Sequence, residues 1–236
     1  MQKRQKTIYS GLRAITAATF VCYALLLGGC GSRDYWPMQE GNQWKYILRA
    51  REGGVFGETI FTVKSVKKEG QVRRALIQTT TGHTTQPLSE SVMISSPQGV
   101  YESSRTSLIS TDVGVIKRTR EVTPGNFPPF IIYGKPRVGE EWSFSCNIKD
   151  KYVNLDTDVR GGGKVEDKET IYAAAGKFKA FKIRWYTVDT SGNFSEERIF
   201  WIKRGIGPVK IEVSNYAGRM VLMLKSAIVN GKHIGE

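Results

Sequence analysis

The chain runs to 236 residues, 40% hydrophobic and 24% charged, with a formal net charge of +13. That basic balance suits an acidic partner such as anionic lipid head groups or an acidic polysaccharide. Nucleic acid is set aside, because Lys and Arg are scattered through both halves and no aromatic-rich nucleic-acid motif accompanies them.

In chain order, the first element is a secretory signal. Lys3, Arg4, Lys6 and Arg13 give a positive start, the run from Ala14 to Leu27 carries no charge, and Gly28 and Gly29 precede Cys30. A basic start, a short apolar stretch and a small-residue exit are the parts of an export signal. The apolar run falls short of the ~20 residues a spanning helix needs. Its end, Leu27-Gly28-Gly29-Cys30, resembles the lipobox of bacterial lipoproteins. The resemblance implies cleavage before Cys30, a diacylglycerol thioether on its sulfur and a further acyl chain, such as palmitate, on its amine. Two or three such chains, at ~0.8 kcal/mol per buried CH2, hold a protein stably to a membrane. Gly31 stands where an Asp commonly retains such proteins in the inner membrane, so the resemblance favours the periplasmic face of an outer membrane in a Gram-negative cell. Residues 1–29 are thus read as signal and 30–34 as a lipidated tether. The signal carries four positive charges and no negative one, so the net charge falls from +13 to +9 in the mature chain.

Beyond residue 34, period-two alternation replaces any long helical period. Phe61 and Val63 alternate with Thr62 and Lys64; Val153, Leu155 and Val159 with Asn154, Asp156, Asp158 and Arg160; Phe181, Ile183 and Trp185 with Lys182 and Arg184; Val209, Ile211 and Val213 with Lys210 and Glu212. Gly53-Gly54, Glu69-Gly70, Gly161-Gly162-Gly163, Ser191-Gly192-Asn193, Gly205-Ile206-Gly207-Pro208 and Asn230-Gly231 are read as turns. Trp142, Phe144 and Cys146 share one parity, which makes Cys146 a buried structural thiol. With Cys30 lipidated, Cys146 has no disulfide partner in the mature chain.

An internal repeat organises these strands. Tyr35-Trp36-Pro37 through Gly41, Trp44 and Tyr46 is echoed by Tyr133, Pro136, Gly139, Trp142 and Phe144. The segment from Thr123 to Phe130 is rich in proline, lies between the copies and is expected to leave the ladder. The expected organisation is all-β: a first half at 35–123, a Pro-rich linker at 124–130 and a second half at 131–236. The antiparallel strands form two sheets or, more economically, one curved half-barrel-like sheet. In each half the proline and glycine launch the first strand and the tryptophan covers one end of the core.

Tyr35, Pro37, Gly41, Trp44 and Tyr46, then Gly176, Phe178, Ala180, Phe181 and Ile183, then Trp201, Gly205, Gly207, Val209 and Lys210 resemble the motifs of a broad group of uncharacterised bacterial envelope lipoproteins. These are structural residues, so the resemblance implies fold rather than activity. It extends distantly to the half-barrel carriers of lipoproteins, without their long plugging helix.

Chemistry-bearing clusters are sparse. His83 and His233 have no neighbour at metal or triad spacing. Asn154, Asp156 and Asp158 begin like a calcium loop, but Val159 occupies the position that needs glycine and Val165 that of the bidentate Glu. Glu140-Glu141 and Glu196-Glu197 point to opposite faces of a strand. No cofactor, metal or catalytic set is expected. The leading reading is a non-catalytic lipoprotein, bound to the membrane through lipid on Cys30. Its β domain binds an envelope lipid or polysaccharide, or supports envelope assembly, with Trp142, Phe144, Phe181, Ile183 and Trp185 as the ligand face. The alternative is a scaffold for other envelope proteins. A third reading, an envelope hydrolase, needs two or more of Glu58, Asp156, Asp158, Glu166 and Glu196 to converge.

Overall fold

A computed structural model describes residues 35–235, apart from 51–53, 83–85, 113, 191–194 and 216–217. The signal, the tether, Cys30 and His83 lie outside the described residues. Alternating sequence becomes antiparallel strand throughout. The first half supplies β1 (Gln43–Ala50), β2 (Val55–Glu69), β3 (Val72–Thr81), β4 (Pro87–Ser95), β5 (Gly99–Thr111) and β6 (Gly114–Pro124). A two-residue strand, β7 (Ile132–Tyr133), pairs with β5. The second half supplies β8 (Glu141–Asp150), β9 (Leu155–Ala173), β10 (Gly176–Asp189), β11 (Ser195–Lys203), β12 (Gly207–Asn215) and β13 (Gly218–Val229), and β14 (Lys232–Gly235) returns along β13.

Apart from β7, each strand within a half pairs with its neighbour in sequence, and two seams join the halves. β6 pairs β8 from Arg120↔Asp150 to Pro124↔Cys146, and β1 pairs β13 from Gln43↔Ile228 to Ala50↔Met220. The sheet therefore closes into a 12-stranded barrel, leaving no long free edge. Inward and outward positions alternate, with bulges such as that at Lys182/Ile183 resetting the parity. Outward positions on β8 to β11 carry paired charges: Lys164 with Glu141 at 2.5 Å, Lys182 with Glu166 at 2.9 Å and Arg184 with Glu197 at 3.4 Å. A charged outer wall is the opposite of the apolar band on a membrane-spanning barrel.

The two halves repeat in atomic detail. Gly41 and Gly139 have φ of +85° and +88°, the left-handed region that favours glycine. The Gly41 N–H donates to the Val63 carbonyl at 2.9 Å and the Gly139 N–H to the Val165 carbonyl at 2.8 Å; Val63 and Val165 return bonds to Asn42 and Glu140, each at 2.9 Å. The Trp44 indole then donates to the Ile206 carbonyl at 2.6 Å, and the Trp142 indole to the Phe130 carbonyl at 2.8 Å.

No helix plugs the barrel among the described residues. One end is closed instead by two buried irregular segments, the first containing Tyr35, Trp36 and Met38 and the second Phe130 and Ile131. Trp36 lies against Phe200 and Gly207; Phe130 packs on Phe127, Tyr101 and Tyr133 and over Gly99, where a Cβ would approach its ring to 2.2 Å. The other end is a mouth, ringed by the C-terminal ends of β1, β3, β5, β8, β10 and β12 and the starts of the strands that follow them.

Three sequence readings change. Gly161-Gly162-Gly163 is not a turn but the middle of β9. A Cβ at Gly161 would lie 2.2 Å from the Tyr186 carbonyl oxygen and one at Gly163 2.1 Å from Trp142 Cζ2, so glycine here makes room for neighbouring groups rather than reversing the chain. The alternation read from Val153 begins only at Leu155; residues 151–154 are the turn, with Asn154 at φ +50°. The ladder also continues through Thr123 and Pro124, because a proline at the last position of a strand removes no interior ladder bond.

Candidate functional site: the barrel lumen

Inside the mouth-ward half of the lumen, inward positions switch from carbon to charge. Glu102 and Arg105 on β5, Arg118 and Arg120 on β6, Asp150 on β8, and Glu196 and Arg198 on β11 share this region. The register sets the cluster, since Arg105 sits opposite Arg120 and Arg120 opposite Asp150. Glu102 accepts from the Ser91 hydroxyl at 2.6 Å and from Arg105 at 2.7 and 3.2 Å, and lies 3.5 Å from an Arg198 nitrogen. Arg198 donates to Glu196 at 2.6 Å, and Arg118 to Asp150 at 2.5 Å. Arg120 is held loosely, 3.9 Å from Glu196.

Burial by itself would raise the Glu102 pKa. The cations Arg105, Arg198 and Arg120, with the Ser91 hydrogen bond, outweigh it and hold the carboxyl at about 2. Glu196 is lowered for the same reasons: burial opposes, and Arg198 prevails. Arg198 is disfavoured by burial but stabilised by Glu196 and Glu102, so its pKa rises. The cluster is an ionised network with every carboxylate engaged.

Two spaces meet at this network. One, of about 320 Å³, is lined chiefly by carbon from Leu48, Phe61, Met93, Ile211, Val213 and Leu222. The other, of about 340 Å³ toward the mouth, is lined by Arg105, Ser107, Arg118, Arg120, Thr157 and Asp189. Arg105, Glu196, Arg198 and Asn215 belong to both walls. Three buried donors border the lumen without a hydrogen-bond partner among the described residues: Trp36 Nε1, Trp185 Nε1 and Thr187 Oγ1. Buried polar groups are nearly always paired, so these mark places where a bound group or water can dock.

Of the residues read as a ligand face, Phe144 and Trp185 stack on each other at 5.6 Å, Ile183 is fully buried, and Trp142 is fixed by its bond to Phe130. Phe181 is half-buried, edge-on to Tyr35 at 5.9 Å and beneath Lys168. Only Trp185, with Arg198 over its ring at 5.3 Å, reaches the charged cluster. Cys146 is buried, and burial pushes its thiol up to about 11. Among the carboxylates considered for hydrolysis, Glu58 pairs with Lys45 and Lys225, Glu166 with Lys182 and Arg184, and Glu196 with Arg198; Asp156 and Asp158 share Asn147 as donor. His233 is exposed on β14. The arginines at 105, 118, 120 and 198 and Glu102 went unread. In the run from Glu196 to Ile202, alternate positions 196, 198, 200 and 202 share a face, but Ile199 and Trp201 on the other face hid which side was inward. Trp201 is an outward tryptophan, buried beneath Lys210 at 4.0 Å.

No known family model matches the sequence, and a search of curated proteins finds no match. Solved structures do share the architecture. A Bacteroides fragilis protein, described as exported and as having a YmcC-like fold, is 13% identical with a TM-score of 0.51 over 82% of this chain and 98% of its own. A Parabacteroides distasonis protein described as a lipoprotein is 14% identical, with a TM-score of 0.48 over 82% and 97%. The hypothetical lipoprotein YmcC of Escherichia coli K12 is 12% identical, with a TM-score of 0.39 over 94% and 97%. The all-β barrel of this chain is thus a fold it shares with the Bacteroides fragilis protein.

Proposed function

We propose that the protein is a lipid-anchored component of the bacterial cell envelope whose barrel takes up one amphipathic envelope molecule through its mouth. The observation that carries this reading is the joining, inside a closed barrel, of a carbon-lined space to an arginine-rich one. An acyl chain fits the first and an anionic head group the second. Arg120 is the cation best placed to meet that head, being the least tightly paired of the four. The carbon lining favours lipid over polysaccharide. The export signal, the lipobox at Cys30 and the description of the similar proteins as exported or as lipoproteins support the envelope location. Binding rather than catalysis is the role proposed, since Glu102, Asp150 and Glu196 are each engaged with an arginine.

A chain from residue 31, produced by export and examined by native mass spectrometry, is expected to carry lipid at one per barrel. Arg120→Gln should keep the fold and lose roughly tenfold in anionic lipid retained, the scale of one hydrogen bond to a charged group. Lipid-free wild-type protein across preparations from its own envelope would refute the reading. The anchoring is tested separately: Cys30→Ser should abolish incorporation of labelled fatty acid. A scaffold role is the second reading, favoured by an outer groove of about 860 Å³ beside Glu141, Lys164, Arg184, Tyr186 and Glu197; it predicts protein cross-links at Tyr186 with an empty lumen.

A further inference from the structure

The large apolar side chains exposed among the described residues are unevenly placed. Of the twelve, only Val138 and Tyr172 lie near the closed end; the other ten, including Val55, Phe56, Leu88, Val115, Val153 and Val188, lie at or near the strand ends and turns of the mouth. Phe56 and Val115 are 69% and 63% exposed, on the second residues of β2 and β6. Such side chains cost free energy in water, and exposed apolar groups gathered at one place mark a contact surface.

Exposed cations stand among them. Arg49 is near the end of β1, Lys117 is on β6, Lys149 and Lys151 are at the β8–β9 turn, and Arg160 is opposite Val188; among the described residues the exposed carboxylates at this end are Asp112, Asp156 and Asp158, with Glu121 opposite Lys149. Five cations against four anions leave the described rim with a net positive charge, which favours an anionic surface. The geometry favours a deformable one. The apolar groups are set around a hole rather than in a continuous patch, whereas a stable protein interface needs roughly 800 Å² of closely fitting surface per partner. Lipid fills the gaps between separated side chains, and apolar tips with flanking cations are the combination that inserts at an interface.

Chain length separates the mouth from the lipidation position. Tyr35 is buried at the closed end, and Cys30 lies five residues before it, within ~18 Å of extended chain. β10 alone, with 14 residues at ~3.3 Å each, runs ~45 Å from that end to the mouth.

We infer that the rim of the mouth is a docking surface for an anionic lipid bilayer, against which the lumen opens. This deepens the lumen-binding reading, because a rim seated on lipid would place the mouth where an acyl chain can enter.

The test is co-sedimentation of the chain from residue 31 with vesicles of phosphatidylglycerol and phosphatidylcholine, or of phosphatidylcholine alone. All strands and their pairings lie within the compact unit that begins at Gly31, so this chain holds the whole barrel. Wild type should bind the anionic vesicles, bind the neutral ones several-fold less, and bind less at high salt. The exposed-site variant Phe56→Ser/Val115→Ser/Val188→Ser should lose tenfold or more while retaining its circular-dichroism spectrum. Equal binding by the variant, no binding by wild type, or a concentration-dependent dimer abolished by the variant without vesicle binding would each overturn the inference. Native mass spectrometry separates the two readings. Lumen lipid without vesicle binding sinks the rim alone, and vesicle binding with an empty lumen sinks the carrier reading alone.

Discussion

At the closed end of the barrel, Trp44 and Trp142 are almost wholly buried and each indole N–H meets a backbone carbonyl. At the mouth, β5 and β6 turn Arg105, Arg118 and Arg120 inward, and Phe56 of β2 and Val115 of β6 stand exposed on the lip. The sheet is common to both ends; what differs is the chemistry of the inward positions and whether a chain segment covers them. The Tyr35–Met38 and Phe130–Ile131 segments fill the closed end with aromatic and aliphatic carbon, whereas the cluster at the mouth leaves space beside its charges. Stability should therefore concentrate at the closed end and recognition at the mouth.

The largest effects are expected at the indoles. Trp142→Ala should cost about 4–5 kcal/mol in denaturant unfolding, combining a large buried ring with an orphaned Phe130 carbonyl. Trp44→Ala should match it closely, since the two sites share their hydrogen-bond pattern; a large disparity would deny the equivalence of the halves. Arg198→Met comes next, at about 3–4 kcal/mol, because Glu102 and Glu196 are left buried with one cation fewer.

The pH dependence follows from Glu102. Its carboxyl is held at about 2 in the folded chain against an ordinary 4.5, so the unfolded chain binds the proton more tightly. Its contribution, on the order of 3 kcal/mol, is complete above about pH 4.5 and is lost as pH falls toward 2. Thermal melts across that window should show the loss, and Glu102→Gln should flatten it. A smaller effect, about 1–3 kcal/mol of overpacking, is expected for Gly163→Ala, whose methyl would meet the Trp142 ring.

Much of the closed end was legible in the sequence, because its signals are local. Gly41, Trp44, Gly139 and Trp142 repeat at fixed spacing, and the turn each glycine makes needs only its immediate neighbours. The mouth was not legible, because the lumen cluster joins β5, β6, β8 and β11, whose neighbourhood depends on barrel closure. Arg105 and Arg120 face each other only through the β5–β6 register, and Arg198 reaches Glu102 only across the lumen. Gly161 to Gly163 misled for a related reason: their purpose is set by Phe144, Trp142 and Tyr186 on neighbouring strands, and three glycines in a row look like a turn until those rings are placed.

The smallest effect is the most discriminating for the mouth. Phe56 is 69% exposed, so Phe56→Ser removes little buried carbon and should change stability by no more than about 0.5 kcal/mol. A rim residue that serves only the fold would have to show its cost in unfolding; one that serves a surface outside the chain would not. If Phe56→Ser were instead to destabilise by about 2 kcal/mol, its ring would have to be buried in the folded chain, and the division between a stabilising closed end and a recognising mouth would fail at its most exposed aromatic residue.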